Sequence, residues 1–250
     1  MKSALISVSL LITASLSTIT TADTTEDKLK AAMAADVRTQ AEKNRDRNRR
    51  PIQTLQFFGL KDDMKILELI PGGGWYTKLL APTVAEKGEY HAAIFTDRIK
   101  ERLADQPGFE KINILEVESN IRRPEGSRLR TMDDFNFPEK GFDMVLTFRN
   151  YHNFDEQGRR AMNKASFEAL KSGGVYAVVD HTRRHMENTN DENRRRIDPV
   201  LAIKEIQEAG FQFVDYSKLH FKLDDELRYE VGRRSVSGNT DRFTLKFVKP

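Results

Sequence analysis

The sequence predicts an α/β protein built on a mostly parallel sheet with helices on both faces. Five short apolar runs bounded by turn residues carry the strand reading: "MKILELI", "EYHAAIF", "KINILEV", "FDMVLTF" and "GVYAVVD". Near-continuous apolar composition of that length suits strands buried on both faces. Stretches of helical composition lie between them, notably "YTKLLAPTVAEKG" and "DEQGRRAMNKASFEALKSG". Strands alternating with helices imply a parallel sheet, because each parallel crossover needs a helix.

Taken in order, residues 1–22 stand apart. Lys2, the apolar run "ALISVSLLITASL" and a Thr-x-Ala step ending at Ala22 read as a secretory signal peptide. The expected location is therefore outside the cytoplasm, in the periplasm. The run is too short and too rich in hydroxyls to predict a membrane span, so no stable membrane insertion is expected after cleavage. Residues 23–60 are rich in Ala, Glu, Lys and Arg with no proline before Pro51, which predicts a helical segment. The arginines at 45, 47, 49 and 50 read as a solvated face, with a lid or docking segment as the sharper alternative. "PIQTLQFFGL" predicts a short helix packed on the core and stopped at Gly59.

Residues 61–250 carry the α/β pattern. Pro82 falls inside the first helix and should kink it, since it cannot donate to Lys78. "IDPVLAIKEIQEAG" predicts a helix capped by Asp198, opened by Pro199 and closed by Gly210. Two further strands follow, "FQFVDYS" and "RFTLKFVK", separated by a long polar stretch from Lys218 to Asp241 that suits a functional or edge loop. A chain of 250 residues is long enough for a substantial core. The absence of cysteine excludes disulfides, thiolate metal sites and cysteine nucleophiles. The formal charge of +3 is too small to argue for nucleic acid. The five arginines of "HTRRHMENTNDENRRR" have no interleaved aromatics, which also speaks against nucleic acid. They border the mouth of the expected site, where they suit an anionic substrate.

The chemistry is signalled by "ILELIPGGGWYTKLLAP". Three glycines after a strand let the chain turn sharply and let a ligand approach the backbone, with helix N–H groups aimed at it. The G-x-G-x-x-G fingerprint is absent because Trp75 and Tyr76 follow Gly74, and no Gly-Lys-Ser/Thr step marks a phosphate loop. Glu68 at the strand end, ahead of uncharged Pro71, Gly72, Gly73 and Gly74, suits a cationic or hydroxyl-rich ligand better than a pyrophosphate. Helix packing alone is the plainer reading of the same turn. Trp75 and Tyr76 are expected to staple the helix to "QFFGL".

This acid-then-glycines turn resembles the first motif of class I S-adenosylmethionine-dependent methyltransferases. "FNFPEKGFDMVLTFRNYHNF" is similar to their fourth-strand region, and "ALKSGGVYAVVDH" to their step into the fifth strand. The three match in order and spacing over roughly residues 61–250. More narrowly, "PGGGWYT", "LTFRNYHN", "DRFTLKFVKP" and the segment from Arg45 to Gly59 resemble a group of exported bacterial proteins described as predicted methyltransferases. The resemblance implies a Rossmann-like methyltransferase fold, with a seven-stranded sheet whose last strand is antiparallel. It implies S-adenosylmethionine as cofactor, Glu68 near the methionine amino group, and Pro71, Gly72, Gly73 and Gly74 against the ligand. Arg149 would join that cofactor set, and Asp133 or Asp134 would meet the adenine amino group. Two positions depart from the pattern. Ile70 stands where the motif has its first glycine, so the turn should differ locally. Ile94 stands where an acid should hold the ribose hydroxyls, leaving Asp97 as a substitute if the loop bends back.

Methyl transfer needs alignment above all, and a base where the nucleophile carries a proton. Arg149, Asn150, Tyr151 and His152 follow the fourth strand, and Asp180 and His181 follow the fifth at the same end. His152, His181 and Asn150 are the expected catalytic set, although strand-end histidines also commonly satisfy backbone groups. The loose cluster of Asp180, His181 and His185 lacks helical spacing, so no metal is expected. The sequence thus ranks a small-molecule methyltransferase first, ahead of an exported non-catalytic binding protein on the same fold and of an oxidoreductase. A cytoplasmic cofactor and an exported chain stand in tension.

Overall fold

The computed structural model describes residues 24–250. The expected signal peptide at 1–22 lies outside them. Seven strands form one sheet: β1 Lys65–Leu69, β2 Glu89–Ala93, β3 Ile112–Leu115, β4 Phe142–Phe148, β5 Leu170–His181, β6 Gln212–Tyr216 and β7 Arg242–Val248. Their order is β3-β2-β1-β4-β5-β7-β6. The first five pair in parallel, and β7 runs antiparallel to both β5 and β6. The mostly parallel seven-stranded sheet with an antiparallel last strand is therefore as the sequence predicts. β4 and β5 shift register between Phe142 and Met144. Gly174 sits in that irregularity, where a Cβ would come within 2.8 Å of the Lys171 carbonyl oxygen.

Eight helices complete the described fold: α1 Thr25–Ala34, α2 Gln40–Lys43, α3 Asp46–Arg49, α4 Pro51–Phe58, α5 Thr77–Val84, α6 Asp97–Leu103, α7 Glu156–Ala169 and α8 Pro199–Glu208. Alternating strand residues feed two cores because successive side chains point to opposite faces. Ile66, Met144 and Ala177 pack with Leu29, Leu55, Leu79 and Ile99 of α1, α4, α5 and α6. Leu67, Val145 and Val178 pack with Met162 and Ala165 of α7 and Ile206 of α8. The N-terminal segment thus belongs to the same core as the sheet. α5 continues through Pro82, and the Thr83 hydroxyl donates to the Leu79 carbonyl at 2.7 Å.

The helical segment expected at 23–60 is divided into separate helices, α1 to α4. Thr24 and Thr39 each form a capping box, with Asp27 and Glu42 respectively, so the chain restarts its helix at Thr39. Between α1 and α2 the buried Arg38 donates to the Met33 carbonyl at 2.9 Å and pairs with Asp46 at 2.6 Å. That exchange replaces the helical bonds a continuous rod would make. α4 ends at Gly59 with φ 86°, and Asp198 caps α8 by accepting from the Val200 N–H at 2.9 Å, both as expected.

Residues 218–241 contain no strand, yet they are pinned to the fold. His220 is 1% exposed and contacts the Thr244 hydroxyl at 2.7 Å and the Arg49 carbonyl at 2.9 Å. The buried Asp225 takes Arg196 in a two-pronged pair at 2.8 and 2.9 Å and accepts from the Asp241 N–H at 2.6 Å. Burial, reinforced by Arg242, pushes the His220 imidazole down from 6.5 to about 4. The unfolded chain takes up a proton near pH 6.5 while the folded chain resists it. The stability that neutral His220 contributes is therefore present above pH 6.5 and lost as pH falls toward 4. That difference corresponds to about 3 kcal/mol. Denaturant titrations of His220→Gln between pH 4 and 7 should show a visibly shallower acid loss than the parent chain.

Candidate functional site

The strand order reverses between β1 and β4, which opens a crevice at the carboxyl ends of the strands. A cavity of about 280 Å3 lies there. Its walls are the β1 turn, with Glu68, Ile70, Pro71, Gly72 and Gly73, and the β4 end, with Phe148, Arg149 and Asn150. Arg49 of α3 and Arg102 of α6 close it, and the Tyr76 ring stacks on Phe148 with centroids 3.6 Å apart.

Three strands leave the sheet here through left-handed residues. Ile70 after β1 has φ 55°, Ile94 and Phe95 after β2 have φ 65° and 55°, and Arg149 after β4 has φ 61°. Each such non-glycine residue costs about 1–2 kcal/mol, and β-branched isoleucine is an unusual occupant. Strain of this kind gathers where surrounding structure enforces it, often at functional sites. Asn150 supplies part of the enforcement, since its amide donates to the Ile70 carbonyl at 2.9 Å and the Phe148 carbonyl at 3.0 Å. The Ile70 N–H in turn donates to the Ala93 carbonyl at 2.9 Å. The substitution at Ile70 therefore leaves a glycine-like backbone conformation in place.

Glu68 is buried in β1 and accepts from Tyr90 at 2.5 Å and Thr77 at 2.8 Å. Both bonds land on Oε2, and Oε1 has no partner among the described residues. Burial raises the carboxyl from 4.5 to about 7 against those two donors and nearby Arg49. A cation placed at the cavity would favour the ionised form.

A second cavity, about 640 Å3, opens on the other side of the β4 end. His152 forms part of its lining, beside Arg123, Arg159, Arg183 and Arg194. The His152 Nδ1 meets the Asp180 carboxylate at 2.5 Å, and the His152 backbone N–H donates to the other Asp180 oxygen at 2.9 Å. With Nδ1 donating to a carboxylate, the tautomer leaves Nε2 as an acceptor. His181 lies 5.8 Å from His152 by ring centroids, and its Nδ1 contacts the Thr240 hydroxyl at 3.0 Å. Burial first, then His152 and nearby arginines, hold the His181 imidazole well below 6.5, so it stays neutral. Most arginines around this cavity are balanced: Arg159 pairs with Glu205 at 2.6 Å, Arg128 with Asp191 at 2.8 Å, and Arg195 with Glu230.

The remaining expected site residues fall as follows. Gly72 lines the first cavity, and a Cβ there would meet nothing within 4 Å. Gly74 instead admits α6, because its Cβ would lie 3.1 Å from Ile99 and 3.2 Å from Leu103. Asp97 is exposed at the start of α6 and lines neither cavity. Asp133 is committed to Arg122 at 3.0 Å and Gln157 at 3.2 Å, away from both. Trp75 staples α5 to the N-terminal segment rather than chiefly to "QFFGL": its indole donates to the Glu42 carbonyl at 3.1 Å, with Arg49 over the ring at 4.2 Å. His185 bonds Asp198 at 2.9 Å and does not join His181. Among the described residues the group with metal-ligand proximity is Glu89, His91 and Glu139, far from the loose cluster read in the sequence. The Lys65 ammonium already sits on Glu139 there at 2.7 Å.

Sequence reasoning missed Arg49, Arg242 and Phe95. Arg49 is 6% exposed although it lies in a run of arginines that reads as solvated; Arg45, Arg47 and Arg50 are indeed exposed. α3 is only four residues long, too short for periodicity to mark an inward face. The alternation in "RFTLKFV" separates Arg242 from the apolar face of β7, but not its burial. Phe95 is 44% exposed beside β2, with Arg130 over its ring at 5.1 Å.

No family model and no curated protein matches the chain. Solved structures do. A SAM-dependent methyltransferase from Aquifex aeolicus superposes with a TM-score of 0.58 at 15% identity, over 90% of this chain and 98% of that one. The [4+2]-cyclase SpnF gives 0.56 at 13% identity, over 81% and 80%. The glycopeptide N-methyltransferase MtfA gives 0.54 at 16% identity, over 82% and 91%. MtfA has also been solved with sinefungin, S-adenosylhomocysteine and S-adenosylmethionine. The chain therefore has the Rossmann-like fold of class I methyltransferases, a fold that a cyclase shares.

Two outcomes test the site's wiring. Asn150→Ala should destabilise the protein by about 1–3 kcal/mol in urea titrations, because two carbonyls lose their donor. Glu68 is favoured protonated in the folded chain, so the stability it contributes is full below pH 4.5 and lost as pH rises through about 7. Glu68→Gln should flatten that decline when urea midpoints are compared from pH 5 to 8.

Proposed function

We propose that this protein transfers the methyl group of S-adenosylmethionine to a small-molecule acceptor. The observation that carries the reading is the glycine turn after β1, with Glu68 beneath it, opening into the crevice where the strand order reverses. Similarity in fold to structures described as SAM-dependent supports it. The residues present suit the cofactor's amino-acid end: Glu68 offers Oε1 to an ammonium, Gly72 and Gly73 leave backbone open to close approach, and Arg149 is a cation for a carboxylate. Ile94 offers the ribose no side-chain acceptor.

Bound there, the cofactor supplies an electrophilic methyl carbon. The chain's task is alignment and, for an acceptor that carries a proton, its removal. His152 meets the second requirement: Asp180 holds its Nδ1–H, and Nε2 is the base toward the larger cavity. His181, neutral and bonded to Thr240, positions rather than reacts. Asn150 shapes the turn through two carbonyls and is a positioning residue. The arginine-lined cavity suits an anionic acceptor. Export through residues 1–22 belongs to the same reading.

Calorimetric titration with S-adenosylmethionine and S-adenosylhomocysteine tests it. Binding in the micromolar range is expected, weakened roughly tenfold or more in Gly72→Val, whose side chain would enter the cavity from a strained backbone. No heat up to millimolar ligand, from protein with an intact circular dichroism spectrum, would overturn the reading.

A further inference from the structure

Buried guanidiniums in this protein normally have carboxylate partners. Arg38 has Asp46, Arg159 has Glu205 and Arg196 has Asp225. Arg49, Arg149 and Arg242 break the pattern. Among the described residues none of the three has a carboxylate within ion-pair distance, yet Arg49 and Arg242 are each only 6% exposed. The Arg49 side chain makes no hydrogen bond there, and its Nε is orphaned and sealed from solvent; so is the Nε of Arg149. Arg242 reaches only carbonyls, those of Asn48 at 3.1 Å and Thr240 at 3.4 Å. Burial of a cation without a counter-charge is costly, so three together call for an anion.

The three lie close together. Arg49 stands 5.7 Å from the Tyr76 centroid, and the Arg242 guanidinium donates to the carbonyl of Asn48, the residue before Arg49, at 3.1 Å. Arg49, Arg149 and Tyr76 line the 280 Å3 cavity, and Arg242 lies behind, paired across the sheet with His181. Local acids do not cancel this charge. Glu42, on the cavity wall, is held by Lys78 at 3.0 Å. Glu68, raised to about 7, is about half ionised near neutral pH and at most offers one negative charge to the three guanidiniums. Asp180 serves His152, and Asp241 accepts from the Lys222 N–H at 2.7 Å.

We infer that Arg49 and Arg149, with the charge of Arg242 behind them, form a binding site for a phosphate group, carried by a ligand that enters the crevice beside the glycine turn. A carboxylate offers one negative charge to three guanidiniums. A phosphate monoester offers nearly two, with three acceptor oxygens that suit forked donors. The cavity is large enough for that group, and the open Gly72 side leaves room for the molecule attached to it. Trp75 under Arg49, at 4.2 Å, holds the cation in place without neutralising it. The site needs no cofactor, but it shares Arg149 and the cavity with the pocket proposed for the cofactor's amino-acid end, so the two ligands should compete.

The test is calorimetric titration of the full chain, without cofactor, with inorganic phosphate, methyl phosphate and acetate in parallel at pH 8. Phosphate and methyl phosphate should bind below about 1 mM, and acetate at least tenfold more weakly. Arg49→Gln should weaken phosphate binding by about tenfold or more, the loss of one charge-assisted contact, and Arg242→Gln, which removes a charge behind the cavity, should weaken it by about threefold or more. Arg47→Gln, on the exposed side of the same helix, should stay within about twofold. Both test variants should keep the parent circular dichroism spectrum, because removing an unpaired buried charge relieves the fold. Acetate binding as tightly as phosphate would make the cluster a carboxylate site and overturn the proposal. So would phosphate binding that survives both substitutions, or no binding up to 50-fold above that range. A chain that binds phosphate but not S-adenosylmethionine would uphold this site while overturning methyl transfer.

Discussion

The separation of the β1 and β4 ends is the constraint on which the site depends. Where the strand order reverses, the helices that follow the two neighbouring strands pack on opposite faces, as α5 and α7 do here, so a gap opens between the strand ends. Here the gap is held at fixed width by Asn150, whose amide spans the Ile70 and Phe148 carbonyls. Once those two ends are tied, the chain has little room to turn. Ile70, Ile94, Phe95 and Arg149 all adopt left-handed conformations that their side chains disfavour. The strain is bearable because each strand end is also buried or hydrogen-bonded, as the Arg149 N–H is to the Val179 carbonyl at 2.7 Å. A rigid and costly rim of this kind suits a site that must present backbone atoms accurately.

Charge is the second organising element. Around the larger cavity four of the seven lining arginines have an acid, which tempers the positive charge of its walls. Around the smaller cavity the balance fails: Arg49 and Arg149 have no ion-pair partner among the described residues, and burial leaves Glu68 only partly ionised near neutral pH. The two cavities flank the same strand end, with His152 and Asp180 between them. A ligand anchored by charge on one side and a base on the other would be aligned across β4, which is what an in-line displacement asks of a protein.

Fold alone would not select a reaction. The fold is similar to structures described as methyltransferases and to one described as a cyclase. What favours methyl transfer is Glu68, Gly72 and Gly73 at the crevice, together with the polarity of His152. The role of Gly74 illustrates how a motif mixes purposes. Two glycines of the triplet face the cavity, while the third lets α6 approach to within van der Waals distance.

Much of this architecture was legible in the residues themselves. Buried strands announce themselves by continuous apolar runs, and the cap, proline and glycine of α8 mark both its ends, because these signals are local. The glycine turn and its acid were equally readable, since few other residues allow such a turn. The N-terminal segment was not, because two capping boxes outweigh helical composition that is uniform along the chain. Nor did the sequence distinguish Arg49 from Arg47, two residues away in the same run. Which of them is buried depends on Trp75, Tyr76 and His220, brought from distant positions by packing. Composition and short-range pattern determined the strands, the helices and the turn; only the tertiary structure decided which charges meet without partners, because burial and counter-charge are properties of contacts between remote parts of the chain.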